Sequence, residues 1–267
     1  MIKVLRMRLF RLGRGEPIVD PWKYFVSDKP LPSNRVVMVF TSRLLNVAKR
    51  TLRNVNRLRR GELIAVKEGI VGEFDGEKVI VVLPYIGAPA SVMVLETLIV
   101  NGGKVFIALG LAGAIKRSIR IGDVVIPTWG IREEGTSYHY MPPEYVPRPD
   151  DELANALYDE ILNIGKYMKI NVVKGGVWSI DAPSRETRDK VIKFSRRGVL
   201  AVDMESTALM TVAKYYGVKL AVVLAISDEL YGKGWRHGFK SRRLIKAEKV
   251  IMEATLRVLT RSDLVTA

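Results

Sequence analysis

The chain has 267 residues, is 48% hydrophobic and carries a formal charge of +15, with no Cys and two His, His139 and His237. That apolar fraction suits one large core; the missing thiols exclude a disulfide framework or a thiolate zinc site, and with two His no protein-built metal centre is expected. Residues 1–60 hold 15 Lys and Arg against Glu16, Asp20 and Asp28, a net +12, which leaves +3 for all the rest.

Taken in chain order, residues 1–34 read as a basic amino-terminal extension and 35–267 as one domain, with no Gly-, Ser- or Pro-rich linker dividing it. The start, Met1-Ile2-Lys3-Val4-Leu5-Arg6, lacks the hydrophobic region and small-residue cleavage site of a leader, and the apolar runs are strand-length. A cytoplasmic location without membrane contact is the expectation. Residues 35–40 predict a first strand. Residues 42–58 predict a helix that interleaves Leu44, Leu45, Val47, Ala48, Leu52 and Val55 with Lys49, Arg50, Arg53 and Arg57, leading into Arg59 and Arg60. Such a basic amphipathic face attracts polyanions, but it carries no interleaved aromatics or reader motif. A solvated or subunit-facing role is the better reading, and nucleic acid is not an expected partner.

Short strands follow at 65–66 and 70–74, then an Asp75-Gly76 hairpin turn and a strand at 78–83. A helix is expected over 91–100, a strand over 104–109, a loop over 110–114 and a strand from Gly122 to Pro127. Further helices fit 150–167, 186–196, 204–216 and 240–260, with buried strands at 198–202 and 218–226. This alternation with added hairpins predicts an α/β, single-domain, mixed and largely parallel sheet flanked by helices. The chain contains no Gln and is rich in Val, Ile, Leu, Lys and Arg, a bias that suits a hot-living source.

Two acidic residues stand out. Glu205, in Asp203-Met204-Glu205-Ser206, opens a helix directly after a buried strand, and Asp228, in Ser227-Asp228-Glu229, ends the next strand. Ligands of open α/β sheets bind at that carboxyl edge. Two carboxylates there can divide labour: one accepts hydrogen bonds from paired sugar hydroxyls, and the other, with a raised pKa, delivers a proton to a leaving group. The competing interpretation is a helix cap and a loop acid.

Several motifs in series carry a resemblance. They are Gly87-Ala88-Pro89-Ala90-Ser91, Gly110-Leu111-Ala112-Gly113-Ala114 with Ile121-Gly122-Asp123, the segment from Arg132 through His139 to Tyr145, Trp178-Ser179-Ile180-Asp181-Ala182-Pro183, and Asp203-Met204-Glu205-Ser206. Residues 78–230 resemble the nucleoside phosphorylase and uridine phosphorylase family, as an archaeal-type member related to the adenosylhomocysteine nucleosidases. The resemblance implies a nucleoside-phosphorylase-like fold and cleavage of an N-glycosidic bond through an oxocarbenium-like sugar. Phosphate would be the co-substrate, with no other cofactor and no metal, in a homo-oligomer (dimer, trimer or hexamer).

By the matching positions, Glu205 would take the ribose 2′ and 3′ hydroxyls as a charged acceptor, Met204 would pack on the sugar, and Asp228 would protonate a purine at N7. Asp203, Ser227, Gly87 and Gly110 lie in the same substrate-binding motifs. Uridine-specific members hold uracil with a Gln and Arg pair, so the absence of Gln points to a purine. Arg132 and His139 lie in the segment most like the uridine branch, and Arg185 is placed to contact a pyrimidine carbonyl. Trp178 and Tyr138 either stack a base or fill core. Trp235, His237 and Phe239, in a Gly-rich loop, are candidates for a lid, and Arg236 or Arg242 for setting the protonation of Asp228.

The acceptor site departs from the family. The loop after the first strand is Phe40-Thr41-Ser42-Arg43 rather than Gly-Asp-Pro-x-Arg, the phosphate-binding Arg is replaced by Ala108, and a hydroxyl residue by Leu111. Arg43, the backbone N–H groups of Thr41 and Ser42, and Lys67 from a neighbouring subunit remain as phosphate ligands. A uridine-type phosphorylase, a nucleoside hydrolase and a non-catalytic nucleoside or nucleic-acid binding protein are the alternatives.

Overall fold

The computed structural model describes Gly13 and residues 15–58 and 65–265. Residues 1–12 and 14 of the amino-terminal basic extension lie outside the described residues, as do Arg59 and Arg60. After a one-turn helix α1 (Pro21–Tyr24) come β1 (Arg35–Val39), α2 (Ser42–Thr51), β2 (Arg53–Arg57), β3 (Val66–Phe74), β4 (Glu77–Pro84) and α3 (Ala88–Val100). Then follow β5 (Val105–Ala114), β6 (Val124–Glu133), α4 (Asp151–Met168), β7 (Val172–Ile180) and α5 (Arg188–Arg196). The chain continues through β8 (Val199–Asp203), α6 (Ser206–Tyr216), β9 (Lys219–Glu229), β10 (Arg236–His237), α7 (Arg242–Leu259) and α8 (Ser262–Val265). Short 3₁₀ turns occupy Thr136–His139 and Pro183–Arg185.

One mixed sheet runs in the order β10-β9-β6-β7-β8-β5-β1-β4-β3-β2, and an added pairing of β9 with β5 closes five of these strands into a ring. Strand β5 is the hinge of this arrangement. Along one edge it pairs in parallel with β9 over its whole length. Its other edge is shared: Val105 to Leu109 pair with β1, whereas Gly113 and Ala114 pair antiparallel with Val202 and Ala201 of β8. Between those partners, residues 110–112 have no strand neighbour on that edge among the described residues.

Buried strands carry apolar side chains on both faces, because helices cover both. Val37 and Val39 point into a core with α2, α4 and α7, while Val36 and Met38 point into another with α3 and α6. That alternation is the period of two that an extended chain imposes.

Four sequence expectations change. The helix predicted over 42–58 stops at Thr51; Leu52 turns to extended backbone and Asn54 adopts φ 49°, so Arg53–Arg57 becomes a fully exposed edge strand paired with β3. Amphipathic spacing alone did not separate this strand from the helix, and charged side chains suit an exposed sheet edge. Strand β3 is continuous across the break expected after Val66. The loop expected over 110–114 is the end of β5, held straight by β9, and β9 itself runs on to Glu229. The Asp75-Gly76 turn is as expected, with φ 46° and 82° at its centre, the positive pair that a tight hairpin of this kind requires.

Gly122 is a place where only glycine fits. It has φ +85°, its N–H donates to the Ile226 carbonyl at 2.9 Å, and an added Cβ would lie 2.5 Å from Arg243 Cβ and 2.8 Å from the Arg243 carbonyl carbon, at the start of α7. Because backbone as well as side chain is in the way, Gly122→Ala is expected to destabilise the fold by about 2–4 kcal/mol, combining left-handed strain with overpacking. Urea unfolding checks this; an unchanged midpoint and slope would remove Gly122 from the structural argument.

Candidate active site

A cavity of about 620 Å³ opens at the ends of β1, β5, β8 and β9, where β5 lacks its neighbour. Its floor includes Leu111, Ala112 and Gly113, and its walls carry Phe40, Thr41 and Met204. Four carboxylates face it, Asp203, Glu205, Asp228 and Glu186, and no Lys, Arg or His is among its lining residues.

Each acid has a structural reason for its place. Asp203 ends β8 and is buried; its Oδ1 accepts from Ser179 Oγ at 2.5 Å, and its Oδ2 accepts from the backbone N–H of Ser206 at 2.9 Å and from the Ser206 hydroxyl. These bonds fix the turn between β8 and α6. Glu205 sits in that turn, 8% exposed, and its Oε1 accepts from Gly87 N–H at 2.7 Å, joining segments 118 residues apart. Gly87 has φ +108°, a conformation other residues rarely adopt.

Asp228 is aimed by a β-bulge: Ala112 pairs with Ile226 and Gly113 with Asp228, so Ser227 is the extra residue. Its two oxygens accept from Ser227 Oγ at 2.6 Å and Trp235 Nε1 at 2.8 Å. The bare Gly113 leaves room for it, since a Cβ there would lie 3.0 Å from Asp228 Oδ2.

Glu186 was missed by sequence reasoning. It follows the turn Pro183–Arg185 and precedes Thr187, the cap of α5, a position that reads as ordinary helix entry. Half-buried, it lines the cavity, and its carboxylate has no protein hydrogen-bond donor among the described residues. Burial first, then the Asp228 and Asp203 charges, push it up to about 7. Burial and the Asp203 charge likewise push Glu205 up to about 8, against the pull of the Gly87 N–H, and burial also raises Asp203. Burial and the neighbouring Asp203 thus favour the protonated form of Glu205, and a ligand that donates hydrogen bonds to it would favour the ionised form.

The remaining expected residues divide. Met204, Ser227 and Thr41 line the cavity, although the Thr41 hydroxyl is already used as acceptor from Leu44 N–H at 3.1 Å. Trp235 and Phe239 also line it, in keeping with the lid expectation, whereas His237 does not. Arg132 is buried away from it, with its guanidinium donating to Ser137 Oγ and to the carbonyls of Met141, Pro142 and Tyr145, and it lies over the Tyr138 ring. Trp178 is fully buried against Phe194 with its Nε1 on Glu133, a core residue rather than a base-stacking one. His139 and Arg185 are exposed and outside the lining, and Gly110 packs under Leu224.

The expected phosphate ligands are not gathered here. Arg43 pairs through Nε with the buried Glu248 and donates through Nη1 to the Phe239 carbonyl at 2.8 Å; Ser42 is exposed, and Lys67 lies over the Tyr85 ring, 4.9 Å from its centroid. Arg236 pairs with Glu229 rather than Asp228, and Arg242 is exposed on α7. No group of three or more His, Asp or Glu placed to hold a metal occurs among the described residues, and no described helix is long and apolar enough to cross a membrane.

With this geometry in hand, comparisons place the chain. Residues 34–260 match the model of the Phosphorylase superfamily. The DeoD-type purine nucleoside phosphorylases of Bacillus cereus and Bacillus cytotoxicus are each 32% identical over 165 residues, 61% of this chain and 68% of theirs. Two crystal structures of uridine phosphorylase from Vibrio fischeri, one complexed with 6-hydroxy-1-naphthoic acid, superpose with TM-scores of 0.73 and 0.74 at 23% and 24% identity, over 87% and 88% of this chain and 98% of theirs. The chain belongs to the phosphorylase superfamily, among its nucleoside phosphorylases, which are pentosyltransferases.

The raised carboxyls carry a consequence for stability. A Glu that titrates at about 7 or 8 when folded, against 4.5 for the ordinary group, holds a proton in the native state that the unfolded chain has released. Its contribution is full below about 4.5 and is lost as pH rises through the folded value. The unfolding temperature is therefore expected to fall between pH 5 and 8, and Glu186→Gln to flatten the part of the fall between about pH 5 and 7. Calorimetry at fixed ionic strength reads this; a midpoint rising across that window in the parent would contradict it.

Proposed function

We propose that the protein cleaves the N-glycosidic bond of a purine nucleoside with phosphate, giving free base and pentose 1-phosphate. The observation that carries the reading is the convergence of Glu205 and Asp228, from the ends of β8 and β9, on one cavity. Glu205 takes the two sugar hydroxyls. Their donated hydrogen bonds favour its ionised form, and a carboxylate there stabilises positive charge as it develops on the sugar ring. Met204 packs on the sugar. Asp228 gives its proton to the departing base, and Trp235 and Phe239 cover that base as a lid. Glu186, a carboxyl without a protein donor, meets N–H groups on the base edge; this adds to the missing Gln and to the purine nucleoside phosphorylase relatives in favouring a purine. We read the working form as a homo-oligomer, since Ile86 lines the cavity yet is 61% exposed at its rim.

A second reading, hydrolysis, is favoured by one specific feature. Four carboxylates and no cation in the lining oppose a phosphate dianion but not water. Phosphorolysis in this cavity relies on Arg43, whose guanidinium is shared with Glu248 and the Phe239 carbonyl, so the phosphate KM is expected to be in the millimolar range and to depend strongly on Arg43.

The test is incubation with a panel of nucleosides, with and without phosphate, identifying base and sugar products. Pentose 1-phosphate formed only with phosphate supports the proposal; free ribose at equal rates in both arms selects hydrolysis, and no base release from any nucleoside selects a binding protein. Faster turnover of uridine than of any purine nucleoside would overturn the base assignment. Glu205→Gln is expected to lower kcat/KM by the equivalent of about 2–4 kcal/mol while leaving the fold intact, and a loss within a few fold on every accepted nucleoside would remove the sugar-clamp role. Asp228→Asn is expected to abolish cleavage of adenosine and inosine but spare nucleosides with an activated leaving group; equal losses on both would deny the proton-donor role.

A further inference from the structure

Across the segment 235–239 from the carboxylate-lined cavity lies a second one, of about 730 Å³ and of opposite charge. Arg120, Arg236, His237, Lys240 and Arg243 line it against a single acid, Glu229. Two of its arginines are held in place from beneath. Arg236 Nη1 donates to Glu229 Oε2 at 3.1 Å and Arg243 Nη2 to Asp123 Oδ1 at 3.0 Å, and both acids are almost fully buried, at 4% and 3% exposed. A guanidinium has five N–H donors, so each anchored fork retains donors for another acceptor. Arg120 and Lys240 have no acidic partner among the described residues.

Gathering these cations in one concavity costs Coulomb repulsion that the two buried acids only partly offset. No hydrogen bond or ion pair of Arg120 or Lys240 side chains within the described fold returns that cost. The amino terminus of the 18-residue α7, capped by Ser241, adds its dipole at the same place. We propose that this cavity binds a multiply charged phosphate group. Planar guanidinium forks match phosphate oxygens in bidentate fashion, and anchored forks lose little freedom on binding. The group can come from a free oligophosphate or from the phosphoryl end of a nucleotide.

The site is mechanically joined to the first cavity. Arg236 and His237 of β10 pair with Glu229 and Asp228, Trp235 donates to Asp228, and Phe239 lines both cavities. A phosphate drawn against Arg236 and Lys240 fixes the segment that holds Trp235 on Asp228.

Titration calorimetry on the full-length protein at physiological salt tests this without turnover, so its outcome is separate from that of the glycosidic reading. Pyrophosphate and a nucleoside 5′-monophosphate are the probes, with Arg120→Glu/Lys240→Glu as the cavity variant and Arg43→Ala as the control for an acceptor site in the first cavity. The expected result is pyrophosphate binding by the parent and by Arg43→Ala, weakened at least about tenfold in the double variant while its unfolding temperature is retained. A double variant that has lost its fold is replaced by Lys240→Gln, for which a smaller weakening in the same direction is expected. A nucleotide binding more than about tenfold tighter than pyrophosphate identifies the nucleotide as source, and the reverse identifies free oligophosphate. Equal binding by parent and cavity variants, loss of binding in Arg43→Ala, or no heat at millimolar pyrophosphate would overturn the proposal.

Discussion

The divided edge of β5 is the constraint on which the rest of the structure depends. A strand has two edges, and β5 gives one wholly to β9 and splits the other between β1 and β8. Because β1 runs parallel to β5 and β8 antiparallel, the two cannot meet end to end as one strand. The interval between them becomes a cavity, and the segments that end there, 40–41, 203–205 and 227–228, bring their side chains to it. The ring of five strands makes that interval rigid, so the site is set by sheet closure rather than by a loop.

Within the cavity, hydrogen bonding decides what each carboxylate can do. Asp203 is consumed by Ser179 and Ser206 and serves the turn. Glu205 keeps one backbone donor from Gly87, Asp228 is held by Ser227 and Trp235, and Glu186 has none. Crowding acids in a half-buried space raises their affinity for protons, and a ligand that donates hydrogen bonds relieves the crowding. A nucleoside, rich in hydroxyl and N–H donors, complements this lining better than an anion does. The cations stand elsewhere: Arg43 is tied to Glu248, and the Arg120, Arg236, Lys240 and Arg243 group lies behind the 235–239 segment.

Much of this was legible in the chain itself. Hydrophobic periodicity located most strands and helices, though it assigned no strand to β7 or β10 and read β2 as helix, and the Asp203–Ser206 and Ser227–Glu229 segments marked the two strand ends that meet. The α/β class followed from the alternation of elements, and the family from motifs in series. These signals are local: a strand end, a helix entry and a glycine turn are encoded within a few residues, and so they survive reading without coordinates.

What only the tertiary structure decided is which groups face one another. Trp178, Arg132 and His139 sit in motif-bearing segments, yet their side chains go to the core, to carbonyl oxygens and to the surface, because alternation along β6 and β7 and the 3₁₀ turn at Thr136–His139 direct them there. The end of the basic helix at Thr51 was invisible because its exposed strand has a partner, β3, that lies beyond the helix in sequence. Glu186 carried no periodic signal, and its place beside Asp228 depends on chain elements separated by some forty residues. By itself the sequence determined the elements, the acidic pair and the family, since these rest on local patterns. Pairing across the sheet decided the acid-lined cavity, its lack of cations and the place of Glu186 in it, because burial and proximity are properties of the closed fold.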